Sequence, residues 1–135
     1  MNEMEQIAES LGLSVPWAEK NGSLWIESAS LDVRLMAAVM RSHDARFVTI
    51  TAMQLDPAAP VRLDYHWDLA GQLLTVTAAA RDNQIPSIAD LCAAADWVER
   101  ETHEHFSVEF TGREYEPLLR RAGETALLQL RKEKP

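Results

Sequence analysis

Cysteine, glycine, basic charge and long apolar runs are all scarce in this 135-residue sequence, and each shortage excludes a class of function. The single thiol, Cys92, cannot hold an iron–sulfur cluster or a four-cysteine zinc site, and it cannot close an intrachain disulfide. Nothing in this cysteine usage points to an oxidising compartment. With five glycines the chain has no glycine-rich loop, no dinucleotide fingerprint, no phosphate loop and no G-x-S-x-G elbow. Thirteen Lys and Arg stand against 21 Asp and Glu, a net charge of −8, which disfavours a phosphate-tracking nucleic-acid surface. The most apolar windows, 35–40 and 73–80, fall far short of the roughly 20 residues of a bilayer-spanning helix. Glu3, Glu5 and Glu9 occupy the start, where an export signal needs basic residues followed by an apolar run.

What is present describes a folded domain. Hydrophobic residues make up 47% and charged residues 25%, ordinary proportions for a globular chain with one core. Met4, Ile7, Ala8 and Leu11 recur at helical spacing before Gly12, so a short helix is expected to open the chain. Asn21 and Gly22 form a turn before a short strand, Ser23 to Glu27. Ser30 is placed to cap a helix from Leu31 to about Ser42, with Leu31, Leu35, Ala38 and Val39 inside. A strand is expected over Arg46 to Leu55, broken by Pro57 and Pro60. Val61 to Leu69 alternates strictly, with Val61, Leu63, Tyr65 and Trp67 inward and Arg62, Asp64, His66 and Asp68 toward water. Ala70 and Gly71 turn it into a second strand, Gln72 to Ala80, making an antiparallel hairpin.

Beyond the hairpin, Ser87 is placed to cap a helix through Ile88 to Ala93, with a second helical stretch from Ala94 to Phe106. Residues 107–110 read as extended, and an amphipathic piece, Glu124 to Leu130, comes before a mildly basic end. This order predicts an α+β fold: a mainly antiparallel sheet of three to five strands with helices packed on one face, then a C-terminal helix and extended tail. Residues 1–110 are expected to form the domain, and 111–135 an extension that packs on it or on a partner.

The chemistry-bearing residues give little support for catalysis. His103 and His105, near Glu101 and Glu104, suggest a metal site, but residues two apart on a helix point about 200° apart. Glu99 with His103, and Glu101 with His105, have the one-turn spacing of ordinary surface pairs. Cys92, between Leu91 and a run of alanines, reads as a packing residue. Carboxylate pairs such as Glu99 with Glu101, or Glu114 with Glu116, are common on acidic surfaces and do not indicate proton transfer. One stretch stands out: as a helix, 94–106 lines up Ala94, Ala95, Val98, Thr102 and Phe106, with Glu101 and His105 close to the stripe's centre. A carboxylate at an apolar seam needs a partner, so Glu101 is expected to accept bonds from an arginine, from backbone N–H groups or from another protein. Trp97 flanks the same face, and tryptophan and arginine are frequent interface anchors.

Trp97, Glu99, Arg100, Glu101, Glu104, Phe106, Val108, Phe110 and Gly112 carry a resemblance. The stretch resembles the signature of the thirty-kilodalton, or C, subunit of respiratory complex I and of its counterparts in energy-converting membrane-bound nickel–iron hydrogenases. That signature reads Trp-x-Glu-Arg-Glu-x-x-Asp-x-Phe-Gly, a hydrophobic residue, x-Phe-x-Gly-His-Pro, and later Arg-Arg. Here Glu104 replaces the Asp, Ser107 replaces the Gly, and Arg113 and Glu114 stand in place of His-Pro. Arg120 and Arg121 echo the later pair at a larger offset.

The resemblance implies a noncatalytic subunit with no cofactor and no metal of its own, part of an NADH dehydrogenase or hydrogenase-type oxidoreductase. It implies docking against a hydrogenase-like large subunit, with an iron–sulfur subunit in the same complex, at the inner face of the membrane on the cytoplasmic side. Trp97, Glu99, Arg100, Glu101, Glu104, Phe106 and Gly112 are then the candidate interface residues. The competing expectation is a free-standing small-molecule-binding or hydrolytic domain with Tyr65, His66 and Trp67 in a cleft.

Overall fold

A computed structural model describes residues 2–28 and 30–115. The expected amphipathic segment 124–130 and most of the extension lie outside the described residues.

Helix α1 (Glu3–Ser10) begins where the Asn2 side chain accepts the Glu5 N–H at 2.8 Å, with Glu3 and Glu5 in the electropositive first turn. After Gly12, whose φ of +74° suits the chain's exit from the helix, come β1 (Ala18–Lys20) and β2 (Ser23–Glu27). Helix α2 (Val33–Ser42) starts two residues later than expected. Asp32, not Ser30, caps it, because its carboxylate accepts both the Arg34 and Leu35 N–H groups and adds a negative charge at the helix N-terminus. The buried stripe is accordingly Val33, Met36, Ala37 and Met40, and Leu35 and Ala38, expected inside, are exposed.

Strands β3 (Arg46–Met53), β4 (Val61–Leu69) and β5 (Gln72–Ala80) follow, β4 and β5 with the bounds the alternation predicts. The hairpin turns through Ala70 and Gly71, both at positive φ as a type I′ turn requires, while Asp68 accepts the Gly71 N–H. The sheet order is β1-β2-β5-β4-β3. Only the β2–β5 pairing is parallel, so the sheet is mainly antiparallel, as expected for the α+β class. A 3₁₀ turn at Arg81–Asn83 leads to β6 (Gln84–Pro86), which pairs in parallel with β7 (Glu109–Thr111) as a separate two-stranded ribbon. Helix α3 (Ala95–Phe106) lies between them in sequence.

Tyr65, Trp67, Leu63, Leu74 and Val76 supply the inner face of the sheet and are fully buried with Ile7, Met36 and Met40 of the helices. Each such side chain contributes about 1.5–3 kcal/mol by leaving water. The other face is less wet than simple alternation predicts. Asp64 is buried there and accepts bonds from Thr77 Oγ1 at 2.7 Å and Arg62 Nε at 3.0 Å. His66, half-buried, bridges Thr51 and Thr75 across three strands.

Candidate functional site

The helix expected over Ile88 to Ala93 is replaced by successive turns, and the reason lies in Glu99. The Ser87 hydroxyl donates to Glu99 Oε1 at 2.6 Å, and the Ile88 N–H donates to Oε2 at 2.8 Å. The Ser87 oxygen accepts the Ala89 N–H at 3.1 Å, as a capping serine's would, but its proton goes to a carboxylate twelve residues on. The chain then winds through Leu91 and Cys92, whose N–H groups both return to Ile88 O, and enters α3 at Ala95.

Helix α3 presents two faces. Ala95, Val98, Glu99, Thr102 and Phe106, at i, i+3, i+4, i+7 and i+11, turn toward the body. Glu99 has no exposed surface at all. Its third partner is Arg113, which reaches Oε1 at 3.0 Å, holds Asp96 with its other terminal nitrogen and also bonds the Asp96 carbonyl. Burial raises the Glu99 pKa above the ordinary carboxylate value, and the bonds from Ser87, Ile88 and Arg113 oppose that rise. The same buried charge adds to the burial that holds the Tyr65 phenol well above its usual range.

On the opposite face, Trp97, Glu101 and Glu104 occupy i, i+4 and i+7 as an outward row, and Arg100, at i+3, is largely covered, its side chain 18% exposed. Trp97 is 58% exposed, with the Arg100 guanidinium 5.6 Å from its ring centroid. Arg100 also pairs with Asp96, one turn back, at 3.5 Å. Glu101 is exposed, and Glu104 is half-buried. The expectation that Glu101 lies at the apolar seam is therefore corrected: Glu99 is the buried carboxylate, and Glu101 belongs to the outer row. Phe106 is half-buried and packs against the core, and Gly112 sits at an exposed turn with φ +86°.

The end of α3 is tied to the chain that follows. Ser107 adopts a left-handed conformation, and His103 Nδ1 lies 2.9 Å from Val108 O. Tyr115 stacks on the His103 ring, 3.9 Å between centroids and 8° between planes, and its hydroxyl accepts the Phe110 N–H. His105 is exposed, so the two histidines are not brought together. Among the described residues no three His, Cys, Asp or Glu side chains converge as a metal site. Tyr65 and Trp67 lie on the helix-covered face and His66 on the other, so no single cleft collects these three. Ser87, Arg113 and Tyr115 were missed as site residues in the sequence. Arg113 left one signal, its departure from the signature, because a cation there has a buried carboxylate to meet.

Residues 25–133 match the family described as the respiratory-chain NADH dehydrogenase 30 kDa subunit. The chain belongs to that family. The C subunit of an NADH-quinone oxidoreductase from Rhodopseudomonas palustris (strain BisB18) is 27% identical over 126 residues, an alignment that covers 83% of this chain. The chain spans 63% of the length of that relative. Two solved structures share the fold of this 30 kDa-family domain. One is a chain of a membrane-bound sulfane sulfur reductase, described as an archaeal respiratory membrane complex, with TM-score 0.70 and 24% identity. That match covers 92% of this chain and 78% of the other. The second is a trypsin-resistant fragment of Nqo5, with TM-score 0.65 and 20% identity, covering 83% of this chain and 97% of the fragment.

Proposed function

We propose that this chain is the non-redox docking subunit of a complex I-like respiratory assembly, of NADH dehydrogenase or membrane-bound hydrogenase type. In this reading α3 meets the hydrogenase-like large subunit, and residues 111–135 extend along the same surface beside an iron–sulfur subunit. The observation that carries it is the division of labour within one short motif. Glu99 is consumed inside the domain, where it fixes the helix, and Trp97, Glu101 and Glu104 are left in a row facing out, with the largely covered Arg100 against the indole. A large exposed indole backed by an arginine and flanked by carboxylates has the makings of an interface anchor with charges that set register. The Tyr115 stack on His103 starts the extension beside that row, which supports a continuous contact by both. No helix among the described residues is long and apolar enough to cross a membrane, and peripheral attachment on the cytoplasmic face through the partners accords with that.

The test is co-purification of the full chain from the native membrane fraction. Glu101→Arg and Trp97→Ala are expected to lose a hydrogenase-like large subunit that the unmodified chain retains. Equal recovery of that subunit by both variants, or its absence with the unmodified chain, overturns the proposal.

A further inference from the structure

The chain does not leave the domain freely after β7. It turns at Gly112, and residues 113–115 then lie along two turns of α3. Arg113 holds Asp96 and Glu99, and Tyr115 covers the His103 ring, so the contacts fall at i, i+3 and i+7 of the helix, about 10 Å along its axis.

Tyr115 is the most constrained of the three. Its ring stacks on His103, which is itself fixed by Nδ1 at 2.9 Å from Val108 O, and the Arg113 guanidinium is 4.8 Å from the Tyr115 centroid. The phenol also closes the ribbon. Thr111 O accepts the Ser87 N–H on the β6 side, so alternation turns the Phe110 N–H and carbonyl to the other edge of β7. There the Tyr115 hydroxyl accepts the N–H at 2.6 Å and donates to the carbonyl at 3.3 Å. Burial pushes this phenol up to about 12, so it keeps the proton that it donates. Both rings are half-buried, at the rim of the core and not within it. His103 also precedes Glu104 by one residue, about 100° round the helix, which sets the chain's exit beside the outward row.

The geometry points to a latch: Tyr115, clasped by His103 and Arg113, fixes where the C-terminal extension leaves the domain, so that the extension and the α3 row reach a partner at a set offset. Tyr115 and His103 are then positioning residues that touch no partner themselves. The latch stands on its own contacts, and its part in assembly rests on the docking reading above. A freely leaving chain has to be ordered at the moment of association, at a cost in affinity for every backbone residue fixed. The latch removes that cost from the encounter.

A nitroxide on the full chain, attached at Leu118→Cys in a Cys92→Ala background, reads the motion just past the clasp. Tyr115→Ala and His103→Ala are each expected to shorten the rotational correlation time at position 118 roughly two-fold. His103→Phe, which restores a ring for Tyr115 to stack on, should bring back the slow motion, and thermal melting verifies that each variant keeps its fold. Unchanged motion in either alanine variant, or fast motion in His103→Phe, overturns the latch. Tyr115→Ala is also expected to retain the large subunit roughly ten-fold less well, the cost of reordering about one residue. Full retention by Tyr115→Ala, with Trp97→Ala still losing the subunit, overturns the positioning role and leaves the docking reading standing. Retention by Trp97→Ala overturns the docking reading instead, and the nitroxide then decides the latch alone.

Discussion

Glu99 and Arg113 face each other across the interior edge of α3, a fully buried carboxylate 3.0 Å from a guanidinium that is itself only 11% exposed. Removing one partner leaves the other buried and uncompensated. Glu99→Ala is expected to destabilise the domain by about 3–5 kcal/mol, measured by chemical denaturation. Arg113→Ala leaves Glu99 buried without its cation and should also destabilise, by less, because the Ser87 hydroxyl and the Ile88 N–H still bond that carboxylate and Asp96 keeps Arg100. In a double-mutant cycle the pair should be strongly non-additive; additive effects would refute the coupling.

Glu99 also gives an unusual pH dependence. Its pKa is raised in the folded state, so the folded protein holds the proton more tightly than the unfolded chain does. The associated stabilisation is fully present below the ordinary carboxylate value and disappears as pH climbs through the raised one. Relative to Glu99→Gln, the unmodified protein should gain stability on acidification across that window, the opposite of an ordinary ion-paired carboxylate. Thermal midpoints of the two proteins measured against pH decide the point.

His66 works in the other direction. Burial between Thr51 and Thr75 lowers its pKa, and the nearby Asp64 charge opposes the shift without reversing it. As pH falls below about 6.5 the unfolded chain takes up a proton first, so stability is lost from there toward the lowered folded value. His66→Gln should flatten that limb of the stability curve. An unchanged limb would refute the assignment.

Ala70 holds a φ of +51° in the β4–β5 turn, where an alanine side chain crowds its own backbone. Ala70→Asn, with a residue that accepts the left-handed region, is expected to stabilise by about 0.5–1 kcal/mol. A loss of stability would show that the turn is not the conformation described.

The outer row of α3 should separate association from folding. Trp97→Ala removes an exposed ring and is expected to alter stability by no more than about 0.5 kcal/mol. If the row docks a partner, the same change weakens association by at least about 2 kcal/mol, some thirty-fold. Melting curves alongside binding isotherms measure both quantities on one sample.

The parts of the fold governed by period-two alternation were readable from the sequence, and β4 and β5 appear with the expected bounds because one side of each strand is plainly apolar. Helix phase was harder. At about 100° per residue, the stripe Ala95, Val98, Thr102 and Phe106 centres near Thr102, with Glu99 roughly 55° and Glu101 roughly 105° from that centre, so helix phase alone favours Glu99 as the inward carboxylate. The expectation for Glu101 misread that phase, and a similar error put Leu35 inside α2. The turns at 88–94 could not be read locally, since the group that fixes them is a carboxylate in the next helix. The signature located the right helix, but the partners that hold Glu99 inside, Ser87 and Arg113, come from outside α3.

The strand order has a mechanical consequence. Leu24 of β2 lines a cleft beside α1, while α3 packs on β3, three strand intervals away. At about 4.8 Å per interval the two surfaces are separated by roughly 14 Å of continuously hydrogen-bonded sheet. Such a sheet resists stretching across its strands, so the spacing of the two surfaces is set by strand count, which loop insertions leave unchanged.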